Sequence, residues 1–295
     1  MSPTTVLSRF TLPVVGFLGG ALAALISLVA PATSARADEN LFGYVTGAET
    51  LPQGHYDFYQ TTTARTGKDD GSYLAWDSET EIEYGFTDRF QATLGVDQHY
   101  FDIEGVPGLS DQNRYRFGGV SVAAKYRHLS PFKDAVGLAY RVELGFHRYD
   151  EVAGIIERET LFAPSLALQK NFLDDTLITV VNAGFGMTWG KQPAEEYDYE
   201  LALTGGAGIS YRFAPGWFAG IEGRYRSEFP RMKLSEHEHS VFFAGPSLHY
   251  AAQTWWVTAT WSNQIWGHEV DAPVSGKAYA EESLNEFRLK VGFNF

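Results

Sequence analysis

The chain has 295 residues, no Cys, 36 Asp+Glu against 23 Lys+Arg, and a net charge of −13. So acidic a balance argues against nucleic-acid binding, and the lack of Cys excludes disulfides, thiolate metal sites, a Cys nucleophile and a lipid-anchored N-terminus. An aromatic share of 15% argues against disorder, and after residue 40 no apolar run reaches the ~20 residues of a membrane-spanning helix.

Residues 1–37 contain no acid and two bases, Arg9 and Arg36. An apolar stretch, Val14–Ala30, is followed by Ala35-Arg36-Ala37, small residues in the arrangement signal peptidase accepts. The expectation is a signal peptide cleaved after Ala37. Its removal takes away two arginines and no acid, so the remaining 258 residues carry −15.

The rest of the chain has a period of two. From Leu74 to Tyr84, even positions read Leu74, Trp76, Ser78, Thr80, Ile82 and Tyr84, while odd positions carry Asp77, Glu79, Glu81 and Glu83. Such alternation is a strand with two different environments. Twelve segments read this way: about 54–64, 73–84, 90–101, 114–127, 136–149, 158–170, 176–189, 197–213, 217–229, 239–250, 254–266 and 285–295. The first is the weakest, because Tyr59 breaks the alternation set by Tyr56 and Phe58. Pro164 and Pro246 fall inside strands, in the similar contexts FAPSL and AGPSL, and predict bulges there.

Connections alternate as well. Gly85–Arg89, Asn171–Asp175, Ala214–Gly216 and Ala251–Gln253 are tight, and His128–Ala135 is somewhat longer. Between them lie Ile103–Asn113, Asp150–Glu157, Gly190–Glu196, Pro230–Glu238 and Gly267–Leu284. Aromatics such as Tyr84, Trp217 and Tyr250 mark strand ends beside short turns, and Tyr100, Trp189 and Phe287 mark ends beside long loops. The fold class expected is all-β: a closed antiparallel transmembrane β-barrel of about 12 strands in a Gram-negative outer membrane. A sheet in hydrocarbon must close, since an open edge leaves backbone groups without partners. A soluble sandwich also alternates, but would not carry charged rows on one face and aromatic girdles at both ends of the other. Residues 38–53 are then a periplasmic N-terminal segment and 54–295 the barrel.

Two stretches, Leu41–Gly54 (LFGYVTGAETLPQG) and Glu81–Phe90 (EIEYGFTDRF), resemble an uncharacterised family of Gram-negative outer-membrane barrels. The resemblance implies periplasmic short turns, external long loops and both termini inside. It implies no catalytic or ligand residue. The terminal Phe295 resembles the signal read by the outer-membrane assembly machinery.

Chemistry is sparse. His128-Leu129-Ser130 has the His-x-Ser spacing of lipid-cleaving barrels but falls in a short connection, and His239 and Ser240 are adjacent, hence on opposite faces. Asp97 with His99, and His147 with Asp198 and Glu200, read as ordinary rim polarity. His237-Glu238-His239 is too short a pattern to define a metal site. No enzyme, cofactor or metal is expected. The partners are outer-membrane lipids, the assembly machinery and small polar solutes, with no nucleic acid.

The lumen carries the information. The register points Asp77, Glu79, Glu81, Glu83, Asp97, Glu143, Glu222, Glu228 and Glu286 inward, with Lys125, Arg127, Arg141, Arg212, Arg224, Arg226, Arg288 and Lys290. Glu159, Asp198 and Glu200 are in phase too. Strand one offers no base in phase, so partners for the row from Asp77 to Glu83 are expected from across the barrel. Buried charges must be paired or wet. The expected function is a narrow passive channel for small polar solutes, cation-preferring if the acidic row lines water. The alternatives are a plugged structural or surface-recognition barrel and, last, a lipid-active enzyme.

Overall fold

The computed structural model describes residues 40–193, 196–270 and 276–295. The expected signal peptide lies outside them. Twelve strands follow one another: β1 (Tyr56–Thr66), β2 (Ser72–Thr87), β3 (Phe90–Glu104), β4 (Gln112–Leu129), β5 (Gly137–Tyr149), β6 (Ile156–Phe172), β7 (Leu177–Lys191), β8 (Tyr197–Ala214), β9 (Trp217–Pro230), β10 (His239–Ala251), β11 (Trp255–Glu269) and β12 (Asn285–Asn294). Each pairs antiparallel with the next, and β12 returns to β1 with Phe58 opposite Phe293 and Thr62 opposite Leu289. The sheet is a closed barrel without a free edge, which is what hydrocarbon demands of strands.

Alternation decides which side faces where. On β2, Trp76 and Ile82 are 40% and 43% exposed on the outer face, while Glu81 and Glu83 are 6% exposed on the inner one. Leu94, Val122, Ile209, Ile221 and Leu248 continue the exposed apolar band. Aromatic pairs close the band at the short-turn end: Tyr56–Tyr84 at 4.5 Å, Trp217–Tyr250 at 4.7 Å and Tyr250–Trp255 at 5.2 Å between ring centroids.

Three expectations are corrected. First, Tyr59 is in phase. Asp57, Tyr59, Thr61, Thr63 and Arg65 all point inward and are buried. What breaks the pattern is polar residues on the outer face of β1 and β2. They satisfy one another: Gln60 Nε2 donates to Ser78 Oγ (3.1 Å), and Thr80 Oγ1 donates to Gln60 Oε1 (2.6 Å). Second, neither proline makes a bulge. Pro164 pairs with Val142, and Pro246 with Ile221, while the ladder to the other neighbour lapses and resumes in unchanged register at Ser165–Gly184 and Ser247–Thr260. A missing donor interrupts one side of a strand only, so a local lapse is enough.

Third, of the segment expected below the barrel at 38–53, residues 40–51 lie elsewhere. From Gly54, whose N–H donates to Gly85 O at the short-turn end, residues 51 back to 40 lie inside the lumen. Leu41, Phe42 and Val45 form an apolar core there with Ile178, Val180 and Phe218 of the wall. Ala48 packs with Ala139 and Ala167. A second core, Tyr73, Ala75, Phe101, Ile103 and Val106, fills the opposite end beneath the β3–β4 loop.

Candidate functional site: the charged lumen

The inner segment is a loop that rises into the barrel and turns back. Its ascending limb is held rung by rung. Leu51 N–H donates to Gln91 Oε1 (2.7 Å), Ala48 N–H to Gln169 Oε1 (2.7 Å) and Thr46 N–H to Asn182 Oδ1 (2.8 Å), and Asn182 Nδ2 donates back to Thr46 O (2.9 Å). On the returning limb Asn40 accepts from Thr258 Oγ1 (2.6 Å) and from Lys290 Nζ (2.5 Å). At the apex, one carboxylate collects three consecutive backbone donors. Glu222 accepts from Gly43 (2.7 Å), Tyr44 (2.9 Å) and Val45 (3.0 Å), and from Thr260 Oγ1 (2.9 Å). Such a nest satisfies both the buried charge and the backbone, a charge-assisted arrangement stronger than neutral pairing.

The wall is cut back to receive this loop. A Cβ on Gly208 would meet the Phe42 ring at 2.7 Å, and one on Gly43 would meet Thr260 at 2.8 Å. Tyr44 fills the axis: the Arg224 and Arg288 guanidiniums lie 3.7 and 3.8 Å from its ring centroid, and its hydroxyl donates to Glu286. Burial pushes the phenol up to about 12, so it stays a donor.

The acidic row of β2 is largely engaged. Asp77 bridges to Arg65 Nε (2.6 Å) and to His99 Nδ1 (2.8 Å). Arg65 therefore supplies, from the adjacent strand, the base that was expected only from across the barrel. The segment read from the sequence stops at residue 64, whereas β1 runs on to Thr66 and so includes Arg65. Glu83 accepts from Gln91 Nε2 (3.1 Å), Thr93 Oγ1 (2.9 Å) and Tyr59 (3.3 Å). Glu79 meets Ser121 Oγ at 3.5 Å, and Glu81 is 6% exposed beside it. Further round, Arg141 bridges to Glu143, Arg224 to Glu286 (2.5 Å) and Arg226 to Glu228, while Asp97 faces His147 at 3.6 Å. Lys125 is 4% exposed on β4. Arg288 donates to Thr63 Oγ1 (2.8 Å) and Gly43 O (3.1 Å). Arg127 and Arg212 stand apart at the short-turn end, donating to Asp88 O (2.5 Å) and Thr176 Oγ1 (3.5 Å).

Loops close over the other end. Arg65 also donates to Glu151 O, and Tyr73 Oη to Val152 O (3.0 Å). Lys68 Nζ donates to Ala280 O (2.8 Å), and burial lowers its ammonium to about 8. Burial opposes the charge on Glu282, but His239, Arg226 and Arg224 prevail and hold its carboxyl down at about 2. Glu228, Glu238 and His239 gather their ligand atoms within 4.8 Å, so Glu228 takes the place His237 had in the sequence pattern. Arg226 already bridges Glu228 there, which weighs against a cation.

His128 and Ser130 are not hydrogen-bonded to each other among the described pairs; Ser130 caps Phe132 and Asp134 within its turn. A different pair does meet on the outer wall: His237 Nε2 is 2.7 Å from Ser240 Oγ. Ser240 is 4% exposed and tied to Ser227 (2.9 Å) and Tyr225 (3.0 Å), and among the described residues no carboxylate hydrogen-bonds His237. A hydrolytic serine needs access and an oriented base, and this one has neither. Phe295 ends the chain 71% exposed, its backbone paired with Tyr56.

Among the described residues, two cavities lie between loop and wall. One of about 330 Å³ lies against β4–β9, and one of about 210 Å³ against β1, β2, β10 and β12; both are bounded by Tyr44, Arg224 and Arg226.

A closed twelve-stranded barrel with an apolar outer band and a charged interior is an outer-membrane β-barrel, and the protein resides in the outer membrane of a Gram-negative bacterium. Solved structures share the fold. An outer-membrane channel from Pseudomonas putida F1 matches with a TM-score of 0.55 and 12% identity over 84% of this chain and 97% of that one. The NanC porin matches with a TM-score of 0.50 and 10% identity over 81% and 98%. The β domain of the Bordetella autotransporter BrkA matches with 0.55 and 14% over 82% and 99%. No curated protein matches the sequence. The chain belongs, over residues 34–295, to a family of unknown function, DUF6662.

Proposed function

We propose that this barrel is a narrow passive channel for small polar solutes, its bore constricted by residues 40–51. The observation that carries the reading is the pair of cavities on either side of Tyr44. A small barrel without a transport role is filled by interdigitating side chains, whereas here charged walls enclose space. Two structural neighbours, an outer-membrane channel and a porin, agree with it. Outer-membrane lipids and an assembly machinery that reads Phe295 are the partners this reading requires. It assigns no catalytic role, since the His237–Ser240 contact on the outer wall is sealed.

The test is conductance of folded residues 38–295 in planar bilayers, with liposome swelling in sugars, amino acids and nucleosides. Discrete conductance steps and swelling are expected. Silence of folded protein in both would overturn the channel and favour the second reading, a plugged barrel with a structural or surface-recognition role. The observation favouring that reading is the hydrogen-bonded grip of Glu222 on Gly43, Tyr44 and Val45.

A further inference from the structure

The lumen is acidic by count, yet the larger cavity is not. Its charged walls are Lys125, Arg141, Arg224 and Arg226, and among the described residues no carboxylate borders it. The smaller cavity is mixed: Arg65, Arg224, Arg226 and Arg288 face Asp77, Glu151, Glu282 and Glu286 across it. The difference follows from where the acids are engaged. Asp77 and Glu83 are held on the β2–β3 wall by Arg65, His99, Gln91 and Thr93, and Glu222 is consumed by the inner loop. The carboxylates that pair with Arg141, Arg224 and Arg226 sit outside the cavity lining.

Those arginines keep donors to spare. The Arg226 and Arg141 side chains are 45% and 33% exposed, so they reach lumen water. Arg224 Nη1 is buried and has no hydrogen-bond partner among the described residues. A guanidinium has five donors in a planar fork that matches a carboxylate, and one acidic partner does not use them all. Neutral polar groups complete the wall: Thr46 of the inner loop, Ser165 and Thr204. Hydroxyls there suit a hydroxylated ligand as they would suit water. About 330 Å³ is at the lower end of small-molecule sites and holds on the order of ten water molecules.

We propose that this cavity is a binding station for a small hydroxylated organic anion, its carboxylate held by Arg141, Arg224 and Arg226 beside the inner loop. The proposal rests on the channel reading for its route but not for its site. It reverses the cation preference expected from the acidic row of β2.

The probe is gluconate, with sorbitol as the neutral counterpart, titrated calorimetrically into folded residues 38–295 in detergent. Gluconate should bind and sorbitol should not. Arg226→Gln and Arg141→Gln should each weaken gluconate by about tenfold, the scale of one charge-assisted hydrogen bond, and Arg231→Gln on the β9–β10 loop should not. Heat-dependent gel migration checks that each variant has folded, and two separate arginine variants keep the test alive if one fails. In bilayers under a KCl gradient, the reversal potential should show anion preference. Absence of gluconate binding, equal binding of sorbitol, or a cation-preferring reversal potential would each overturn the proposal. Gluconate binding without any conductance would overturn the channel and leave the site standing.

Discussion

The two halves of the lumen are filled by different physics. At the short-turn end, residues 40–51 supply a small apolar core and a backbone that the wall reads through Glu222, Asn182 and Gln169. At the long-loop end, ion pairs such as Arg65–Asp77 and Arg224–Glu286 tie strands to one another, Arg65 also holds an incoming loop at Glu151 O, and space remains between them. The first half resembles a protein interior, where removing any partner strands a buried donor. The second combines an apolar core around Phe101 with a network in which charged side chains are held by one another rather than by the inner loop's backbone. The two meet at Tyr44, which touches Arg224, Arg288 and Glu286.

The comparison breaks most visibly at Glu222. Glu222→Ala leaves two buried backbone donors, Gly43 and Val45, and the half-buried one of Tyr44 without an acceptor, at roughly 1–3 kcal/mol for each buried group. The inner loop should unseat, and single-channel conductance should rise severalfold; an unchanged conductance would mean that the loop does not constrict the bore. Next comes the upper half. Arg65→Met leaves Asp77 with His99 alone, and breaking a buried pair costs about 3 kcal/mol or somewhat more. Urea unfolding from liposomes should shift accordingly, with conductance changing less than for Glu222→Ala.

A smaller effect sharpens the glycine argument. Gly208→Val drives a side chain into Phe42, an overpacking of about 1–3 kcal/mol. Conductance should increase, and stability of the barrel itself should change little, because the strain is relieved by moving the loop. The smallest effect is protonic. The Glu282 carboxyl sits at about 2, below its ordinary value of 4.5, so its contribution is present above 4.5 and lost as pH falls towards 2. A spin label on Glu281→Cys, in a chain with no other Cys, should become more mobile between pH 5 and pH 2 and show no change from pH 5 to 7.

Much of this molecule was legible locally. The strands, their number, the face each residue takes and the short-turn, long-loop rhythm follow from a period of two, which is a property of neighbouring residues in lipid-facing strands. Asp77 to Glu83 could be assigned to one wall for that reason alone. What lay hidden has no period. The loop from Asn40 to Leu51 carries no alternation, and its anchors are remote: Gly43 and Glu222 are 179 residues apart, Thr46 and Asn182 are 136. Nothing in LFGYVTGAET states that it will fill a barrel, though the inward glycines at 206 and 208 mark a wall that expects a guest. Arg65 lay one residue past the segment that the weak alternation of β1 could bound, and the outward polar residues that weaken it are explained only by their cross-strand partners. The sequence by itself determined the barrel and the faces of its wall, because strand geometry is local. The tertiary structure alone decided what occupies the lumen and which charges are left facing its open space, because those depend on partners that only closure of the barrel brings together.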